Sequence, residues 1–174
     1  MSGVERLNAL PAEAAEAELR ACCGSRAWAR RMAAARPFAR EDALLALAEE
    51  LWWSLDEADW LEAFRAHPRI GEREAEAGQT ERERGWSAGE QAGADAADAA
   101  TRAELAAGNR AYEARFGFIY IVCATGRSAE EMLSILRGRL ANDPAAELRT
   151  AAAEQAKITA LRLQKLLGSN PPGG

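Results

Sequence analysis

The chain carries a single imidazole, His67, within the run Ala66-His67-Pro68-Arg69-Ile70-Gly71. Histidine is the side chain whose ordinary pKa, about 6.5, lets it give and take a proton near neutral pH. General acid–base chemistry therefore falls to His67 first. The proline that follows disfavours helical dihedrals at His67, so the imidazole is expected at a helix end or in a loop. The plainer reading is a helix-terminal histidine favoured by the macrodipole.

A second group is Trp86-Ser87-Ala88-Gly89-Glu90-Gln91. Ser87 and Glu90 stand in capping-box spacing, which predicts a helix starting here. The same helix N-terminus would attract an anion, with Ser87, Gln91 and open amides holding a polar ligand. Both readings remain open on local grounds. Arg162 and Arg69 read by default as dipole-compensating or ion-paired side chains. Zinc needs three or four ligands, and one histidine with Cys22, Cys23 and Cys123 does not supply them, so no metal is expected. A Cys123–His67 nucleophilic pair is conceivable, but the apolar surroundings of Cys123 describe an inert buried thiol. No Gly-Lys-Ser/Thr phosphate loop occurs.

These residues need elements to position them. Pro11 suits the first turn of a helix running to about Cys22, and Ser25 could cap another that ends before Pro37. Leu44, Leu45, Leu47, Ala48, Leu51, Trp52 and Leu55 follow helical spacing with one broad apolar face. Asp56 reads as an N-cap of a short helix presenting Trp60 and Phe64 and stopping near His67-Pro68. Residues 72–85 are the most polar stretch, either a solvated helix or a connector. From Trp86 a helix is expected to run past Ala103, Leu105 and Tyr112 to Arg115. Residues 117–126 are the only strand-like run, either a buried extended piece or the buried start of a helix. Ser128 and Glu131 open a helix to about Leu140, and Asp143-Pro144 opens the last, ending at Gly168 with Ile158, Leu161, Arg162 and Lys165 on its face.

The composition agrees. Alanine dominates while β-branched residues are scarce, which predicts an all-α chain. At 174 residues it is long enough for one domain with a substantial core, expected over residues 1–168 with a disordered tail at 169–174. The net charge of -5 and the lack of a long basic run argue against nucleic acid. No apolar run is long enough to span a bilayer. The opening residues lack the pattern of a signal peptide, and three cysteines make no disulfide framework, so a cytoplasmic protein is expected.

Three segments taken together resemble the OHCU decarboxylase family. They are Phe64-x-x-His67-Pro68-Arg69-Ile70-Gly71, Ser87-x-x-Glu90-Gln91-Ala92-Gly93, and Tyr112-x-x-x-Phe116-Gly117-Phe118-Ile119-Tyr120-Ile121-Val122-Cys123-Ala124. Leu7-Asn8-Ala9-Leu10 and Arg162 also fit, so the similarity spans almost the whole chain. Such enzymes act on 2-oxo-4-hydroxy-4-carboxy-5-ureidoimidazoline (OHCU), between urate and allantoin. The resemblance implies an all-helical fold of the OHCU decarboxylase type, a homodimer, a small ureide substrate, and no metal or cofactor. It implies that His67 and Glu90 are catalytic, and that Pro68, Ser87, Gln91 and Arg162 meet the substrate. The stretch Ile119, Tyr120, Ile121, Val122 and Cys123 is implied to contact it through the backbone. The chain departs from the family where Ile119 replaces a common proline and Tyr120 a phenylalanine. The rival expectation is an inactive helical ligand-binding or interaction module on the same scaffold.

Overall fold

The computed structural model describes residues 1–72, 78–95 and 97–169. The described residues are helical, with no strand: α1 Gly3–Ala9, α2 Ala12–Cys22, α3 Arg26–Ala34, α4 Glu41–Trp53, α5 Glu57–Arg65, α6 Glu81–Glu90, α7 Ala92–Asp95, α8 Ala99–Phe116, α9 Ala129–Arg139 and α10 Pro144–Leu167. They group into two units, Met1–Ala63 with Ala156–Gly174, and Phe64–Gln155.

In the first unit the expected capping residues do their work. The Ser25 hydroxyl accepts from Trp28 N at 3.2 Å, and Asp56 Oδ1 accepts from Asp59 N at 3.0 Å. Each satisfies an amide that the first helical turn leaves unpaired. α1, not anticipated from the sequence, starts with a full capping box between Ser2 and Glu5. The core holds Leu19, Trp28, Met32, Leu44, Trp52 and Leu163. Burial of two indoles is made tolerable by carbonyl partners: Trp28 Nε1 donates to Ala48 O at 2.9 Å and Trp60 Nε1 to Trp52 O at 3.0 Å. Ser169, expected in a disordered tail, donates its hydroxyl to Glu41 at 2.7 Å; the rest of that tail, 170–174, lies outside the described residues.

The second unit is built on α8 and α9, which pack Leu105, Tyr112, Met132 and Leu136 together. Gly108 lets them approach: a Cβ there would collide with the Leu136 side chain. Gly117, at φ 80°, ends α8 in the left-handed conformation. Residues 118–124 then run outside any helix or strand and are mostly buried, so the strand-like stretch is not the start of a helix. Ser128 caps α9 through Glu131 N at 3.1 Å, as expected.

The expected helix from Trp86 to Arg115 is not one helix but the ends and whole of three, α6, α7 and α8. The start of α6 lies upstream because Thr80 and Glu83 form the capping box: Thr80 Oγ1 accepts from Glu83 N at 3.2 Å and Glu83 Oε2 from Thr80 N at 2.7 Å. α8 starts afresh because Asp98 accepts from Thr101 N at 2.7 Å. Between them Gly93 lies so close to Arg127 that a Cβ would strike the Arg127 carbonyl.

Candidate active site

α5 stops at Arg65, and the following loop is held residue by residue by side chains of the second unit. The Ala66 carbonyl accepts from Gln79 Nε2 at 3.3 Å. His67 is 8% exposed, and its Nε2 lies 2.7 Å from Oε1 of the fully buried Gln155. Arg69 forks onto Glu113 with bonds of 2.9 and 2.8 Å. That bidentate bond pushes the Arg69 pKa upward, so its charge is permanent. The Ile70 carbonyl accepts from Asn109 Nδ2 at 3.0 Å, and Gly71 N donates to Gln91 Oε1 at 2.9 Å. Pro68 is buried within this loop. A loop fixed at so many points presents its imidazole with little conformational freedom, which is what acid–base chemistry asks of it.

Ser87, Glu90 and Gln91 lie at the end of α6, not at its start. The capping-box reading of Ser87 and Glu90 is thereby corrected: the Ser87 hydroxyl accepts from Gln79 Nε2 at 2.9 Å. The expected anion-attracting N-terminus fails for the same reason, since a helix C-terminus carries the negative end of the dipole. Ser87 is three and four residues from Glu90 and Gln91, so the three occupy one helical face. Gln79 ties that face to the loop at Ala66 and Gln91 ties it at Gly71. The Gln91 carbonyl is occupied by Gly71, and among the described residues its amide nitrogen donates to no acceptor, so two donors remain for a ligand.

Ile119, Tyr120, Ile121 and Val122 are all buried, and Cys123 is half-buried. Among the described residues, the amides of Ile119 to Val122 donate to no protein acceptor. Two carbonyls of the stretch are held instead, those of Ile121 and Cys123. Arg139 Nη1 donates to Ile121 O at 2.6 Å, and Arg127 Nε to Cys123 O at 3.2 Å. Arg139 is itself buried against Glu147, which also accepts from the Tyr112 hydroxyl at 2.5 Å and from Asn142 at 2.9 Å. Burial is the largest single influence and opposes the Arg139 charge, but the bond to Glu147 and the attractions of Tyr112, Glu147 and Tyr120 together raise the pKa. Burial, reinforced by Glu147, pushes the Tyr112 hydroxyl upward, so it stays a donor. The Tyr120 hydroxyl is likewise pushed up by burial and donates to Met132 O at 2.9 Å.

Gln79, Asn109, Arg139, Glu147 and Gln155 were not singled out in the sequence. The available signal was polar residues falling on otherwise apolar helical stripes, as Asn109 does between Leu105 and Tyr112. Arg162 belongs to the first unit, where it is buried and donates to Ala21 O at 3.2 Å. On its helix Leu163 and Thr159 are buried, whereas Lys165 is exposed and Leu161 only half-buried, a correction to the expected face. Among the described residues no cluster of three or more histidine, cysteine, aspartate or glutamate side chains could hold a metal ion.

The family model for OHCU decarboxylase matches residues 8–164. The chain is 42% identical over 156 residues to the uric acid degradation bifunctional protein TTL of Arabidopsis thaliana, covering 88% of this chain and 48% of that protein. It thus spans about half the length of that relative. It is 38% identical over 134 residues to 2-oxo-4-hydroxy-4-carboxy-5-ureidoimidazoline decarboxylase of Amia calva, covering 76% of this chain and 75% of that one. A crystal structure of OHCU decarboxylase in the presence of (S)-allantoin superposes with a TM-score of 0.75 at 37% identity, over 87% of this chain and 98% of that chain. A structure of (S)-allantoin synthase, 19% identical with a TM-score of 0.69 over 94% of this chain and 54% of its own, shares the fold. With the model matched across nearly its whole length and the helical architecture in common, the chain belongs to the OHCU decarboxylase family.

Proposed function

We propose that this protein is a carboxy-lyase that converts OHCU to (S)-allantoin. The observation that carries this is a lone histidine buried in a loop anchored at each turn, within a chain so similar to OHCU decarboxylase. The substrate has hydroxyl and carboxylate on one ring carbon beside a ring C=N bond. When the carbon–carboxylate bond breaks, its electron pair forms a C=C bond and the C=N pair moves onto nitrogen, which takes up a proton from solvent. The substrate is its own electron sink, so the reaction asks for no pyridoxal, thiamine or metal. The resulting enol loses its hydroxyl proton and gains one at the ureido-bearing carbon, giving CO₂ and a chiral product.

His67, supported by Glu90, manages the hydroxyl proton and the later protonation. Gln91, Ser87 and the amides of Ile119 to Cys123 hold the ureido group and ring carbonyl, with Pro68 against the ring. Arg162 is assigned by the family resemblance to an anionic substrate oxygen. If Arg162 paired only with the leaving carboxylate it would favour the ground state, so ring or ureido oxygen is its expected partner. Support comes, among the described residues, from Gln91 donors left open and from the amides of Ile119 to Val122 left without protein acceptors. The protein works as a homodimer in the cytoplasm; light scattering should give twice the 18.7 kDa chain mass. No helix among the described residues is long and apolar enough to cross a membrane.

The test is circular dichroism of the product from freshly generated OHCU, made from urate with urate oxidase and hydroxyisourate hydrolase. Accelerated appearance of dextrorotatory (S)-allantoin is expected. Unchanged decay to racemic product would leave a ligand-binding module on the same scaffold.

A further inference from the structure

We propose that Gln155 is a positioning residue that sets the tautomer of His67, holding the proton on Nε2 and leaving the imidazole lone pair on Nδ1. Gln155 Oε1 lies 2.7 Å from His67 Nε2, 88 residues away in the chain. A carbonyl oxygen only accepts, so a neutral imidazole bonded to it must donate from Nε2. Gln155 is fully buried on α10 and His67 is 8% exposed, so water has little room to replace this contact. Backbone slack is small as well, because Gln79, Glu113, Asn109 and Gln91 grip the loop at Ala66, Arg69, Ile70 and Gly71.

The consequence for the proposed decarboxylation, on whose correctness this part rests, is that Nδ1 performs the proton transfers. Nε2 stays committed to the amide, so the ring meets the substrate through Nδ1. Turning the Gln155 amide about its end would reverse the assignment, because its N–H would then donate to Nε2 and move the proton to Nδ1.

The chain's single histidine makes the test direct. Long-range proton–nitrogen NMR of the ¹⁵N-labelled protein at about pH 8.5, where an ordinary imidazole is neutral, shows one ring and no overlapping signals. The expected spectrum has the proton on Nε2. Free imidazole side chains already lean that way in water, so variants decide the role of Gln155. Q155L should show both tautomers and lower kcat by roughly tenfold or more with KM within about threefold. Q155E, whose carboxylate also accepts, should keep the proton on Nε2. A wild-type proton on Nδ1 overturns the proposal, and so does a Q155L protein with wild-type spectrum and kcat. The spectrum is read on the resting protein, so it decides the tautomer even if no (S)-allantoin forms and the decarboxylase reading falls.

Discussion

His67 and Glu90 separate two kinds of effect that the sequence leaves entangled. Glu90 is at the end of α6 and caps nothing at its start, so Glu90→Ala should cut turnover sharply while moving the melting temperature little. Thr80→Ala removes the true cap and should do the reverse, costing about 1 kcal/mol of stability. A Glu90→Ala protein that melts early and keeps its activity reverses this assignment. His67→Ala should lose about 10²- to 10⁴-fold in kcat while its far-ultraviolet dichroism stays helical. The thiols report burial: Cys22 and Cys23 are buried, and burial pushes Cys23 up to about 11. A thiol probe at pH 8 should therefore modify Cys123 first in native protein and all three cysteines only in denaturant.

At the scale of elements, the buried segment after α8 depends on a buried ion pair more than on its own backbone. Arg139 reaches Ile121 O only while Glu147 neutralises it, with Tyr112 and Asn142 completing the bonds to that carboxylate. Glu147→Ala leaves the guanidinium buried and uncompensated, and urea unfolding should show a loss of about 3–5 kcal/mol. Replacing both partners with apolar residues of similar volume should recover part of that. Gly93→Ala tests the approach of α7 to Arg127. The new Cβ meets backbone that cannot rotate away, so a loss of about 1–3 kcal/mol is expected. An unchanged urea midpoint for this variant would mean that the contact is not required.

For the molecule as a whole, acid is the informative variable. Glu5 and Asp98 are held below their ordinary pKa by backbone and side-chain bonds to Ser2 and Thr101, and Asp42 by its bond to Arg40. Each binds a proton more readily in the unfolded chain, so each adds stability above its unfolded pKa of about 4. That contribution is lost as pH falls through the lowered folded value. Asp59, raised by burial and by Asp56, works in the opposite direction. Urea midpoints measured from pH 6 downward should accordingly fall below about pH 4, and Asp98→Asn should flatten part of that dependence.

What the sequence determined by itself was local: Ser25, Asp56, Ser128 and Pro144 mark helix starts through bonds that span three residues or through a fixed φ. His67 outside a helix followed from Pro68, and the family followed from motifs that keep their order and spacing. Local spacing misled at Ser87 and Glu90, where two capping patterns compete and the upstream pair, Thr80 and Glu83, wins. Only the tertiary structure decided what grips the histidine loop, because Gln155, Asn109 and Glu113 arrive from 88, 39 and 44 residues away from their partners. No periodicity records such a pairing: a buried glutamine and a surface glutamine look alike until packing removes the water around one of them.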